Sequence, residues 1–194
     1  MKLLHIDSSI LGDASASRTV SREIVARWKA AVPGIEIEHL DLVANELPHL
    51  SGHHLAQMQV PASRDAQILA DFLAADVVVI GAPMYNFTIS TQLKSWIDRV
   101  VVAGKTFKYG PSGAEGLVQG KRVIIAISRG GVYPLDAPFE HAESYLKIIF
   151  GFMGVTDLTF VRAEGLAISP EHRQKGLDAA LGAIALAMPL AKVA

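Results

Sequence analysis

The chain has no cysteine and almost no net charge, and each absence excludes a class of protein. Without Cys, no disulfide framework can hold the fold together. The 18 Lys and Arg residues nearly balance the 19 Asp and Glu residues, so no basic excess exists to displace counterions from a polyanion. We therefore expect no nucleic-acid partner. A balanced charge together with 51% hydrophobic residues also excludes intrinsic disorder.

Long apolar runs are missing as well. No segment approaches the roughly 18 apolar residues that a membrane span needs, so we expect no membrane partner. The first seven residues are interrupted by His5 and Asp7 and lack the apolar region and small-residue cleavage site of a signal peptide. These features predict a cytoplasmic protein. A length of 194 residues suits one domain that spans residues 1–194.

Strand-like and helix-like segments alternate along the chain. Apolar runs predict five strands, at residues 3–7, 35–42, 77–81, 123–128 and 158–161. Helical spacing predicts five helices, at residues 20–31, 68–73, 93–101, 138–153 and 170–191. This alternation indicates an α/β fold with a parallel sheet covered on both faces. The leading topology is a doubly wound five-stranded sheet of order 2-1-3-4-5, which binds ligands at the carboxyl ends of strands 1 and 3.

The loop after the first strand is rich in serine and leads into a helix. Its hydroxyls and the N–H groups of a helix N-terminus suit a phosphate. The loop has neither the Gly-Lys-Ser/Thr ending of a P-loop nor a G-x-G-x-x-G motif, so a single terminal phosphate is favoured over a triphosphate or a dinucleotide. The alternative is that Ser15 or Ser17 only caps the helix.

The loop after the third strand carries aromatic residues at a place where the chain should be exposed. Tyr85 and Phe87 offer flat apolar surfaces, and Asn86 can both donate to and accept from a polar ring edge. This composition suits a flat heteroaromatic ligand. The alternative is that the two aromatic side chains fold back onto the core.

The loop after the fourth strand contains Arg129 followed by two adjacent glycines, Gly130 and Gly131. Adjacent glycines let backbone N–H groups approach a ligand closely. With or without Arg129, such donors could stabilise negative charge on a reduced ring. The alternative is a simple turn with a solvated arginine. Taken together, the three loops describe a phosphate site, a ring site and a donor cradle, which are the sites that flavin mononucleotide (FMN) needs.

Several motifs resemble the FMN-dependent NADH-azoreductase family, the flavodoxin-like NAD(P)H:quinone oxidoreductases. They occur in family order along almost the whole chain: the Ser-rich first loop, Pro83-Met84-Tyr85-Asn86-Phe87, Leu93-Lys94-Ser95-Trp96-Ile97-Asp98, Lys105-Thr106-Phe107-Lys108-Tyr109, Ser128-Arg129-Gly130-Gly131 and Gly151-Phe152-Met153-Gly154.

This resemblance implies a single flavodoxin-like flavin-binding domain with a defined set of contacts. The implied FMN-binding residues are Ser9, Ser15, Ala16, Ser17, Met84, Tyr85, Asn86, Phe87, Ser128, Arg129, Gly130 and Gly131. It also implies a homodimer with its active sites at the interface. Three aromatic residues are then candidates to line the substrate cleft: Tyr109, Tyr133 and Phe152.

The implied activity is that of an oxidoreductase that reduces quinones and azo compounds. NADH or NADPH would give a hydride to the flavin N5, and the acceptor would then take it in a ping-pong, two-electron reaction. No catalytic side chain is implied, because the flavin carries the chemistry. The alternative is a flavodoxin-like electron carrier without its own organic substrate, against which the net charge of −1 argues, since such carriers tend to be strongly acidic.

A group of histidines in the long connection, His49, His53 and His54, has near-helical spacing that could hold a metal. No Cys or carboxylate pair accompanies them, so we predict no metal site and interpret the segment as a solvated loop or a substrate lid. The motifs leave open the physiological electron acceptor and the choice between NADH and NADPH.

Overall fold

Residues 1–57, 60, 63–134 and 137–188 are described by a computed structural model. Its strands are β1 (Lys2–Asp7), β2 (Glu36–Asp41), β3 (Val77–Pro83), β4 (Phe107–Gly110), β5 (Gly113–Gly116), β6 (Arg122–Ser128) and β7 (Asp157–Ala163). Its α-helices are α1 (Ala16–Ala31), α2 (Gly52–Gln57), α3 (Arg64–Ala74), α4 (Thr91–Val100), α5 (Ala142–Phe152) and α6 (Pro170–Ala183). None of the described helices is long and apolar enough to cross a membrane.

Five strands form a parallel sheet in the order β2-β1-β3-β6-β7. Strand β3 is buried at all seven positions, as expected for a central strand whose two faces are both covered. The predicted order 2-1-3-4-5 is not confirmed as written, because the chain forms an extra antiparallel hairpin from β4 and β5. Those strands have only four residues each and are rich in Gly, so the sequence pattern indicated a loop.

Two clusters of buried side chains pack against the sheet. Successive residues of a strand point to opposite faces, and β3 divides accordingly: Val78 and Ile80 belong to one cluster, Val77 and Val79 to the other. The first cluster includes residues from α3, α4 and α5, among them Trp96. The second includes residues from α1 and α6.

Several element boundaries differ from those predicted. Helix α1 begins at Ala16, earlier than its apolar spacing indicated, because the Ser15 side chain caps it. Helix α5 begins at Ala142 instead of residue 138, because the Glu140 carboxylate accepts hydrogen bonds from the first backbone N–H groups of that helix. Helix α2 occupies part of the connection predicted as a loop. Helix α6 ends at Ala183, and the predicted helix beyond residue 188 lies outside the described residues.

The hairpin packs against the end of α5 through a close approach of two glycine backbones. A Cβ on Gly116 would lie 2.2 Å from the backbone nitrogen of Gly154. The backbone N–H of Val118 also donates to the carbonyl of Met153 at 2.9 Å. Only a residue without a side chain fits at position 116.

We expect Gly116→Ala to destabilise the protein, because rigid backbone must move on both sides of the contact. The cost should be about 1–3 kcal/mol in the free energy of unfolding, as for other overpacked sites. Gly110→Ala in the same hairpin is the matched control, because its Cβ would meet no atom closer than 3.9 Å. Urea unfolding of the two variants checks this, and equal stabilities would contradict it.

Candidate active site

The loops that follow β1, β3 and β6 meet at the carboxyl edge of the sheet. The Ser9 hydroxyl lies 3.1 Å from the Tyr85 hydroxyl, which joins the first loop to the second. The backbone N–H of Met84 donates to the carbonyl of Ser128 at 2.8 Å, which joins the second loop to the third. The topology therefore brings together the three segments that the sequence singled out.

A cavity opens between these loops. Eight of the predicted cofactor-binding residues line it: Ser9, Ser15, Ala16, Met84, Tyr85, Ser128, Arg129 and Gly130. Six lining residues were not predicted: Leu11, Ala14, Pro83, Leu166, Ala167 and Arg173. Four predicted residues do not line the cavity: Ser17, Asn86 and Gly131, each next to a lining residue in sequence, and Phe87, two residues beyond Tyr85.

The N-terminus of α1 forms one end of the cavity. The Ser15 hydroxyl accepts a hydrogen bond from the backbone N–H of Arg18, so Ser15 is the helix cap that the sequence allowed. It also lies 3.1 Å from the Ser17 hydroxyl. Within the described part of the chain, the backbone N–H groups of Ala16 and Ser17 have no acceptor. Capping by Ser15 therefore leaves two donors available to an anion.

Arg18 holds the first loop, at this end of the cavity, against the end of β2. Its Nε and Nη2 donate to the backbone carbonyl of Ser9 at 3.1 and 2.9 Å. Its Nη1 and Nη2 also donate to both carboxylate oxygens of Asp41, at the end of β2. The hydrogen bonds from Arg18 lower the pKa of Asp41 to about 2. This pair could not be predicted from the sequence, because its members lie 23 residues apart on different elements.

The loop after β3 makes a tight turn with strained backbone. Tyr85 and Thr88 exchange two backbone hydrogen bonds, at 2.8 and 3.1 Å. Between them, Asn86 and Phe87 have φ values of +48° and +68°. Positive φ at two successive non-glycine residues defines a type I′ turn and costs energy, and such strain concentrates at functional sites.

This turn keeps Phe87 out of the core. Its side chain is 49% exposed and makes edge-to-face contacts with the rings of Tyr133 and Phe139. The alternative that Phe87 folds back onto the core is therefore wrong. Tyr133, a predicted substrate residue, lies beside the turn, whereas the rings of Tyr109 and Phe152 both contact Phe107. Neither of these last two residues lines the cavity.

Arg129 is fully buried, so the alternative of a solvated arginine is wrong. Its two terminal nitrogens donate to three carboxylates, at 3.2 Å to Glu140, 2.8 Å to Glu143 and 3.0 Å to Glu164. Its Nε is buried without a hydrogen-bond partner among the described residues. A buried donor left unsatisfied costs about 1–3 kcal/mol.

Two further donors lie next to Arg129. The backbone N–H groups of Gly130 and Gly131 have no acceptor within the described ranges. A Cβ on Gly130 would lie 3.2 Å from the Cβ of Ala167, which leaves little room for a larger residue. Glycine thus lets the backbone border the cavity without crowding Ala167.

One group of side chains beneath α1 has the composition of a metal site. His5, Asp7 and His39 place their ligand atoms within 4.8 Å of one another. The two imidazole rings, however, stack with centroids 4.5 Å apart and planes 24° apart. Nearly parallel rings cannot direct their nitrogen lone pairs to one ion at a bond length of about 2 Å. The hydrogen bonds of the histidines to Asp7 and Ser21 account for the cluster instead.

Comparisons with known proteins agree with this geometry. Residues 1–186 match the profile of a family described as having a flavodoxin-like fold. FMN-dependent NADH:quinone oxidoreductase 2 of Bradyrhizobium diazoefficiens is 55% identical over 94% of this chain and 96% of its own length. The FMN-dependent NADH:quinone oxidoreductase of Stenotrophomonas maltophilia is 52% identical over 95% of this chain and 94% of its own.

Two crystal structures are similar over nearly their full length. Azoreductase AzrA has a TM-score of 0.86 and 29% identity, with 96% of this chain and 98% of that chain covered. An FMN-dependent NADH-azoreductase from Bacillus anthracis, crystallised in complex with FMN, has a TM-score of 0.82 and 28% identity at the same coverage.

The fold and the site thus define a protein of the flavodoxin-like class. Within that class, the chain belongs to the family of FMN-dependent NADH:quinone oxidoreductases. The family predicted from the motifs is confirmed.

The carboxylates around Arg129 should make the free energy of unfolding depend on pH. Burial disfavours the ionised form of Glu143, but hydrogen bonds from Arg162 and Lys147 outweigh it and lower its pKa to about 2. A pKa lowered by folding stabilises the protein above the ordinary value of 4.5, and this stabilisation is lost as the pH falls toward 2.

We therefore expect Glu143→Gln to lower the free energy of unfolding at neutral pH by about 3 kcal/mol, because the buried guanidinium of Arg129 and the partly buried one of Arg162 each lose a charged partner. The difference from the unsubstituted protein should shrink as the pH falls below about 4.5. Urea unfolding across this pH range measures it. Glu115→Gln, in an exposed pair with Lys108, is the control and should change little. A pH-independent difference at Glu143 would contradict the assignment.

Proposed function

We propose that this chain binds FMN in the cavity between the loops after β1, β3 and β6, within one flavin-binding domain built on a doubly wound sheet. The observation that carries the proposal is the distribution of donors without acceptors. N–H groups without an acceptor among the described residues belong to Ala16 and Ser17 at the N-terminus of α1, and to Gly130 and Gly131 in the loop after β6; Ala16 and Gly130 line the cavity. A ligand with a terminal phosphate and a polar ring would satisfy both groups.

Each end of the cavity then has a separate task. At the phosphate end, the N–H groups of Ala16 and Ser17 and the hydroxyls of Ser9 and Ser15 donate to the phosphate oxygens. Their charge-assisted hydrogen bonds are among the stronger ones in proteins. Arg18 contributes indirectly, because its bonds to the Ser9 carbonyl hold the loop in place before the ligand arrives.

At the ring end, the strained turn of Met84, Tyr85, Asn86 and Phe87 provides an apolar surface with polar edges. The loop after β6 lies beside this turn, joined to it by the hydrogen bond from Met84 to Ser128, and its Gly130 allows close approach to the cavity. Buried donors that are already fixed in position stabilise negative charge without reorganisation when electrons arrive. The buried carboxylates around Arg129 hold that loop in position.

FMN, when bound, supplies the hydride chemistry, and the residues of this chain bind and orient the reactants. NADH is the electron donor and a quinone or an azo compound the acceptor, as the names of the relatives indicate, with NADPH as the alternative donor. Phe87 and Tyr133 present exposed ring surface beside the cavity, which suits flat substrates.

We further propose a homodimer whose two active sites lie at the interface. Tyr109 is 76% exposed on the hairpin, beside Phe107 and Phe152. These aromatic residues do not line the cavity of their own chain, so they would complete the substrate cleft from the partner chain. We propose a cytoplasmic location as well.

The activity distinguishes this proposal from an electron carrier. The purified protein, supplied with FMN, should oxidise NADH continuously when a quinone such as menadione or benzoquinone is the only other reactant. A carrier would need a second protein to receive its electrons. Absence of turnover with NADH, NADPH and several quinones would contradict the enzyme assignment.

A larger residue at position 130 should weaken FMN binding. In Gly130→Val, the added methyl groups would crowd Ala167 and the edge of the cavity, so the dissociation constant for FMN should rise by about tenfold or more, as for a displaced hydrogen-bonding loop. Gly52→Val is the control, because nothing lies within 4 Å of a Cβ there. Titration of the apoproteins by flavin fluorescence quenching gives both values. If Gly130→Val bound FMN with unchanged affinity, the role of this loop in FMN binding would be contradicted.

A further inference from the structure

Arg173 lies at the phosphate end of the cavity although it comes from the far end of the sequence. It belongs to the first turns of α6 and is half-buried. Its Nη2 donates to the backbone carbonyl of Ala14 at 2.8 Å, across 159 residues of chain. Together with Ala14, Ser15 and Ala16 it lines the cavity.

The other arginines near this end are neutralised. Arg18 makes a bidentate pair with Asp41, and Arg22 pairs with Asp13 on the exposed side of the loop. Arg129, the other arginine that lines the cavity, is held by three carboxylates. Arg173 forms no ion pair with any carboxylate of the described residues, so its charge is available to a ligand.

A phosphate monoester needs such a charge. The serine hydroxyls and backbone N–H groups of the first loop are neutral donors, and a helix N-terminus contributes only about half an elementary charge. A flavin phosphate is close to a dianion at neutral pH. An arginine guanidinium offers several N–H donors in a planar fork that matches phosphate oxygens.

We propose that Arg173 is the cationic ligand of the FMN phosphate. This inference rests on the proposed function, and it adds a residue that the resemblance did not assign. The hydrogen bond to the Ala14 carbonyl uses one N–H of the guanidinium and fixes its position beside the N-terminus of α1. The remaining donors then bind the phosphate without a large loss of side-chain freedom.

Comparing the dissociation constants of two flavins measures the contribution of the phosphate to binding. Riboflavin has the same ring and ribityl chain as FMN but no phosphate. In Arg173→Ala apoprotein, the dissociation constant for FMN should rise by about tenfold or more, since a charge-assisted hydrogen bond is lost, whereas that for riboflavin should stay unchanged. Arg173→Lys should recover part of the FMN affinity, because it keeps the charge but loses the fork. Fluorescence quenching measures all of these constants.

Arg22→Ala is the matched control, because it removes a positive charge from the same loop region at a site that does not line the cavity. It should leave the affinities for both flavins unchanged. The affinity of the unsubstituted protein for FMN should also fall more steeply with salt than that of Arg173→Ala, because the ion pair is screened.

The outcomes separate this inference from the proposed function. If the unsubstituted protein binds no FMN, both fail. If it binds FMN and Arg173→Ala binds it equally well, or loses affinity equally for FMN and riboflavin, only the role of Arg173 is overturned. A selective rise in the KM for NADPH, with unchanged FMN affinity, would overturn it too and assign Arg173 to the electron donor.

Discussion

The buried charge of Arg129 is the constraint on which the site depends. A guanidinium removed from water must be paired, and three carboxylates from different segments of the chain do so. Glu140 precedes α5, Glu143 lies in its first turn, and Glu164 follows β7. Pairing with all three holds the loop after β6 against its neighbours. The pairs leave the Nε of Arg129 buried without a partner, and the adjacent N–H groups of Gly130 and Gly131 have no acceptor among the described residues.

Backbone hydrogen bonds also join the loop after β6 to the loop after β7. The backbone N–H of Arg129 donates to the carbonyl of Ala163, and that of Ala167 donates to the carbonyl of Gly130. The loop after β7 therefore joins the cavity wall. At the opposite end, Arg18 holds Ser9 against β2 in a similar way. In each case a buried arginine fixes the loop that follows a strand.

Much of the fold could be predicted from local pattern. The five strands of the parallel sheet were all found, because runs such as residues 77–81 are apolar on both faces. The hairpin β4–β5 and helix α2 were missed, because both are short and lack a buried face with clear periodicity. Tertiary contacts, such as the one between Gly116 and Gly154, stabilise the hairpin, and a local pattern does not reveal them.

The site, like the fold, contains residues that could be predicted from the sequence and residues that could not. Residues in the loops after strands could be predicted, because topology alone places those loops at one edge. Arg173, Leu166 and Ala167 could not, because they follow β7, and the general rule drew attention to strands 1, 3 and 4. The partners of Arg18 and Arg129 could not be predicted for another reason. Ion pairs across 23 or 35 residues follow from the fold and leave no signal in sequence spacing.

The most direct test of the account is the flavin content of the purified protein. FMN in the cavity predicts a yellow protein, or a colourless one that turns yellow with added FMN, whose released cofactor is FMN at one molecule per chain. Absorption spectroscopy with phosphate analysis of the released flavin gives that ratio. A protein that stays colourless and does not take up added FMN would contradict the account.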